Sequence, residues 1–307
     1  MLRPGLAVIP MADAIQLRAG DEQIILLHSP APQQLFELLK LLDGRHRIDE
    51  LVDKTDLGGR GAIDLVLEHL ASNNLLAATN GKPDELVRYL GHTVNDADEV
   101  VQQLRNRSVV ILGSNPGVSL MVSMLGECGI DAGQYRSWPQ VNQKPNADGS
   151  VPKGVPDVAV CIWEQPDRTQ VTAINESACH SGTPCLFVNM SHGQHASIGP
   201  FFVPGQGACY QCLIARLYEN TTGYRELQAT DAFMDQTGQA LAGYGVMPPH
   251  RHWVIAVACG ELIAYLTGHR ALGTLNSTLT LDLEQSQMCR QPVWQVPWCP
   301  QCGDASS

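Results

Sequence analysis

The chain has 307 residues, of which 44% are hydrophobic and 17% charged. That is the make-up of a packed protein of about two domains, and it excludes disorder as the main state. Asp and Glu outnumber Lys and Arg by 31 to 20, a net charge of -11, so general nucleic-acid binding and attraction to anionic membranes are not expected.

Residues 1–80 read as one small unit. Three β-type runs, at 6–9, 14–17 and 23–27, are punctuated by Gly5, by Gly20 with Asp21, and by Pro30. A helix is expected over 32–42, where Leu35, Leu38, Leu39 and Leu42 recur at helical spacing. Ile48, Leu51 and Val52 mark a second, and Ile63, Val66, Leu67 and Leu70 form the stripe of a third over 61–77. Three strands with three helices predict a winged helix-turn-helix. Residues 81–106 read as a polar, helical connector.

From residue 107 the pattern changes. Continuous apolar strands are expected at 108–112, 130–135, 157–162 and 184–189, with helices at 118–128 and 169–181 between them. Alternation of buried strands with helices predicts a parallel sheet covered on both faces. Residues 142–154, rich in Pro, Gly, Asn and Lys, read as a loop.

Ten cysteines raise the question of compartment. Arg3 alone supplies early positive charge, and the apolar run at 6–11 is broken by Pro10, so no secretory signal is expected. The apolar stretch 253–266 carries Glu261 and is shorter than the about 20 residues that span a bilayer. A cytoplasmic protein with reduced thiols is the expectation, and there paired cysteines point to metal. Cys209-Tyr-Gln-Cys212 and Cys299-Pro-Gln-Cys302 are two such pairs. Four thiolates fill a tetrahedral zinc site and leave no open position, so Cys209, Cys212, Cys299 and Cys302 are expected to hold a structural Zn2+. The remaining cysteines fall mostly in apolar segments, and none is assigned as a nucleophile.

The turn after the first strand of the sheet carries only Gly113 and Gly117, and no acidic residue follows the second strand, where Arg136, Ser137 and Trp138 stand. A nucleotide site is therefore not expected. His192 and His195 lack a paired acid and read as loop histidines. Asp64 and Glu68 on the third helix disfavour DNA recognition by the first unit. The alternative is a peptide. Gln23, Ile24, Ile25, Leu26, Leu27 and His28 are expected to form a sheet edge beside the stripe Ile63, Val66, Leu67 and Leu70, where an extended chain can add as a further strand.

The stretch Gly199-Pro-Phe-Phe-Val-Pro-Gly205, the segment Cys209 to Arg216 and the final Trp298-Cys-Pro-Gln-Cys-Gly303 resemble the ocin-ThiF-like proteins, ThiF/MoeB-like partners of the cyclodehydratases that make azole-modified peptides. Nearly the whole chain is covered, and the first unit is similar to the PqqD-like recognition element of that family. The resemblance implies an α/β chain in which a winged helix-turn-helix precedes a Rossmann-like ThiF/MoeB-type domain over 107–307. It implies a non-catalytic partner that binds the leader of a ribosomal precursor peptide. That partner presents the core to a YcaO protein, which closes thiazoline or oxazoline rings with ATP. Homodimerisation, and a flavin-dependent dehydrogenase as a further partner, come from the same resemblance. The alternative is an active adenylating enzyme acting on a peptide or carrier-protein C-terminus. Adenylating relatives have a fuller glycine loop than Gly113 and Gly117 provide.

Overall fold

The computed structural model describes residues 1–3, 5–19, 23–73, 75–76, 85–91, 93–94, 96–113, 115–135, 156–165, 168–237 and 245–303. The expected loop at 142–154 lies outside them, as do residues 136–138. The chain divides into two compact units, Met1–Gln103 and Leu104–Ser307.

In the first unit β1 (Ala7–Pro10), β2 (Ala14–Ala19) and β3 (Gln23–His28) make an antiparallel sheet in the order β1-β2-β3. Residues alternate across a strand. Ile15, Leu17, Ile25 and Leu27 thus join a core completed by α1 (Pro32–Leu41), α2 (Ile48–Lys54) and α3 (Arg60–Ser72). Pro32 opens α1, where its fixed φ suits the first turn. The α2 start is closed by Glu50, whose Oε2 accepts the Arg47 N–H at 3.1 Å. Helix α3 stops short of the expected Ala77. The Asn73 side chain folds back to donate to the His69 carbonyl at 2.8 Å, and Leu76 leaves to bridge Leu2. The polar stretch that follows contains two helices, α4 (Glu85–Leu90) and α5 (Ala97–Arg105), which share a small cluster of Val87, Leu90, Ala97 and Val101.

The second unit is built on a seven-stranded sheet. Its strands are β4 (Val109–Leu112), β5 (Ala132–Tyr135), β6 (Val158–Trp163), β7 (Cys185–Asn189), β8 (His195–Phe202), β9 (Ser277–Asp282) and β10 (Gln287–Pro292), in the order β10-β9-β8-β7-β6-β4-β5. The four strands expected from the sequence are the parallel ones, and β8 to β10 extend them antiparallel. Strands β4 and β6 are buried along their whole length, as a sheet covered on both faces requires. One face carries α6 (Pro116–Glu127) and α10 (Pro248–Thr267), which pack on each other. The other carries α7 (Arg168–Ser181) and α8 (Tyr210–Asn220), with α9 (Tyr224–Thr237) against both. Val110, Leu112, Ala159, Cys161, Trp163, Cys185 and Phe187 turn to the α7 and α8 side and form one core with Cys209, Cys212 and Cys299. Among the described residues no helix is long and apolar enough to cross a membrane.

Candidate functional site

The two cysteine pairs meet at one point. Cys209 is the N-cap of α8 and Cys212 lies in its first turn; Cys299 and Cys302 come from the tight turn that follows β10. The sulfurs are 3.9 Å apart for Cys209–Cys212, 3.7 Å for Cys209–Cys299 and 3.5 Å for Cys212–Cys302, and all four lie within 4.8 Å of one another. Four thiolates at about 2.3 Å from a zinc ion stand about 3.8 Å apart in a tetrahedron, so the donor set and its size fit that ion. Such a site carries a net charge of about -2. Donors are in place around it. The Val296 N–H points to the Cys212 sulfur at 3.4 Å, the Asn175 amide to Cys209 at 3.8 Å and the Gln295 amide to Cys302 at 3.7 Å. The positive end of α8 adds to them. Hydrogen bonds from Cys209 and Cys302 pull the Cys212 thiol far below its usual range, while Cys209 is pushed up, first by Cys179 and then by Cys212. Asn175, fully buried on α7, also accepts the Tyr210 N–H at 2.9 Å and so ties the helix to the knuckle. Nothing in the sequence around Asn175 marks this role.

Of the other thiols Cys161, Cys185 and Cys259 are buried. Burial raises Cys185 well above its ordinary value and Cys259 to about 12, which leaves both unreactive.

In the first unit β3 is the last strand of its sheet, paired only with β2 among the described residues. Ile24 and Leu26 on its outer face are 53% and 47% exposed, and Ile9 at 38% continues their surface through Gln16. His28 is exposed as well. Ile25 and Leu27 point to the core instead. On α3 the stripe splits in two. Ile63 and Leu70 are fully buried in the core, and Val66 and Leu67 keep partial exposure. Ile63 and Leu70 hold α3 in place from beneath, and Val66 and Leu67 alone of the stripe reach solvent.

The glycine turn precedes α6. Asn115 caps the helix, its Oδ1 accepting the Val118 N–H at 3.2 Å while its amide donates to the Ile162 carbonyl at 2.8 Å. Glu164, just past β6, accepts the Gly117 N–H at 3.0 Å, and Arg251 on α10 grips the same carboxylate at 2.7 and 2.9 Å. Neither residue stands out in the sequence. An acid at the carboxyl end of a central strand was the available signal.

The fold is shared with solved structures. A structure described as a heterocyclase in complex with substrate and cofactor matches 99% of this chain at a TM-score of 0.77 and 19% identity. The heterocyclase TruD matches 99% at 0.74 and 19%. The chain spans 39% and 42% of those two proteins. E. coli MccB, solved with AMPCPP and MccA, matches at 0.60 and 13%, with 99% of both chains covered. No family model and no curated protein matches the sequence. The large sheet with its parallel half is thus of the kind found in MccB and in part of the heterocyclases.

His192 and His195 are both exposed, and His195 opens β8. Both line a cavity of about 370 Å³ between the β8–β9 surface and α8, together with Trp163, Tyr210 and Leu213. Partial burial of its ring, and next the charge of His195, lower the His192 pKa.

Proposed function

We propose that the chain binds the leader of a ribosomally made precursor peptide on its first unit, read as a winged-helix recognition element. The second unit holds that peptide near a YcaO-type cyclodehydratase. What supports the reading above all is the outer edge of β3, unpaired among the described residues, with Ile24 and Leu26 turned outward and Val66 and Leu67 half-exposed on α3. An extended peptide adding to that edge gains backbone hydrogen bonds worth about 0.5–1.5 kcal/mol net each. Roughly four of them, with two apolar side chains at about 1.5–3 kcal/mol each, offset the cost of association. The fold likeness to heterocyclases adds support. A structural zinc ion on Cys209, Cys212, Cys299 and Cys302 ties the C-terminal turn to α8. The YcaO protein, a flavin-dependent dehydrogenase and a second copy of the chain are the partners this role calls for.

Fluorescence anisotropy tests the reading, with labelled leaders of short precursor-like peptides encoded near its gene, should sequencing of that region reveal them. Saturable binding by the full chain is expected, and a flat titration would reject it. The second reading, an adenylating enzyme, is favoured by the end-to-end match to MccB. It requires release of pyrophosphate from Mg-ATP when a peptide carboxylate is supplied.

A further inference from the structure

We propose that Glu164, clamped by Arg251, is a built-in occupant of the place where a nucleotide phosphate would sit, and that it closes the glycine turn of the large sheet to nucleotides. The start of a helix after a glycine turn presents free N–H groups and partial positive charge, which suits an anion. In this chain the anion is supplied from within. The Glu164 Oε1 takes the Gly117 N–H at 3.0 Å and the Arg251 Nε at 2.7 Å, and its Oε2 takes the Arg251 Nη2 at 2.9 Å. This is a bidentate, charge-assisted pair. Its side chains are only 16% and 12% exposed, so water screens it little. The next donor, the Val118 N–H, is committed to Asn115.

The space is taken as well. A Cβ on Gly117 would stand 2.7 Å from the Met190 methyl and 3.2 Å from Glu164 Oε1, and one on Gly113 would stand 2.4 Å from the Ile162 carbonyl. The two glycines thus admit the protein's own backbone, Met190 and Glu164, and the gap they open is already full. A phosphate entering here would have to expel a paired carboxylate of its own sign. The residues of this turn therefore do not fit the nucleotide that MccB was solved with. The inference concerns the second unit alone and does not depend on where a leader binds.

The test is calorimetric titration of the full chain with Mg-AMPCPP and with inorganic pyrophosphate. The wild-type protein should show no saturable binding of either at millimolar concentration. Glu164→Ala frees the Gly117 N–H and Arg251, and should bind pyrophosphate about tenfold tighter or more. The double variant Glu164→Ala/Arg251→Ala should lose that gain. Leader affinity should be the same in all three, so a failed leader titration would sink the peptide reading and leave this one standing. Saturable AMPCPP binding by the wild type, or a folded Glu164→Ala variant with no gain, would overturn the proposal. Should that variant fail to fold, the Gly117 amide resonance of the wild type decides. No shift on adding Mg-AMPCPP supports the internal occupant, and a saturating shift refutes it.

Discussion

The small sheet ends at β3, whose outer edge is unpaired among the described residues and beside which two large apolar side chains turn outward, whereas in the first turn of α6 the Gly117 N–H is taken by Glu164, the Val118 N–H by Asn115 and the space by Met190 and Glu164. The two regions differ in what they leave unsatisfied. An exposed strand edge with apolar neighbours is a liability unless something covers it. A buried carboxylate that is paired and hydrogen-bonded needs no ligand. On the proposed reading the first unit binds at its unpaired strand edge, and the glycine turn of the second unit is closed by Glu164.

Loss of the metal should separate the two most strongly. Replacing Cys299 with Ser removes one of four sulfurs, and binding of structural zinc, on the order of 10 kcal/mol, is folding free energy for the segments it joins. Metal analysis should fall from one zinc per chain to none, and the second unit should melt at a much lower temperature. Leader binding through the first unit should survive. Full metal content in that variant would remove Cys299 from the ligand set.

Next in size is Leu67→Arg. Leu67 is only partly buried, so the fold should persist, but a charged side chain should weaken leader binding about tenfold or more in anisotropy titrations. Unchanged affinity would move the peptide away from α3.

The smallest effect expected is on acid stability. His269, just past α10, has its pKa lowered from 6.5 by burial and then by the charge of Arg270. The unfolded chain then takes the proton more readily than the folded one, so stability is full above pH 6.5 and is lost as the pH falls toward the folded value. His269→Gln should flatten that slope in thermal melts recorded from pH 7.5 to about 5. An unchanged slope would place the sensitivity elsewhere.

Much of this architecture was legible where one cause acts alone. Strands β4, β6 and β7 are buried on both faces, and their unbroken apolar runs say so. The first unit's strands were readable from alternation and turn residues. Strand β10 was not, because every residue from Gln287 to Pro292 is exposed and Met288, Cys289 and Arg290 show no period. Helix α9 was missed for a like reason: of its described side chains only Met234 is buried, so no stripe stands out. Each cysteine pair was legible because its CxxC spacing turns two sulfurs to one point, while the meeting of the two pairs, with Cys299 90 residues after Cys209, exists only in the fold. The stripe on α3 was read as a single surface, but a helix packed over a core buries the inner half of such a stripe, here Ile63 and Leu70. Glu164 and Arg251 lie 87 residues apart, and their pairing exists only once β6 and α10 are in place.

Hydrogen exchange on the full chain, with and without a saturating leader peptide, tests the central claim most directly. An added strand on the open edge should slow exchange of those backbone amides between Gln23 and His28 that face away from β2, and leave the exposed edge strand β10 and the Gly117 amide unchanged. Unaltered exchange across β3 under saturating leader, or protection confined to the second unit, would contradict it.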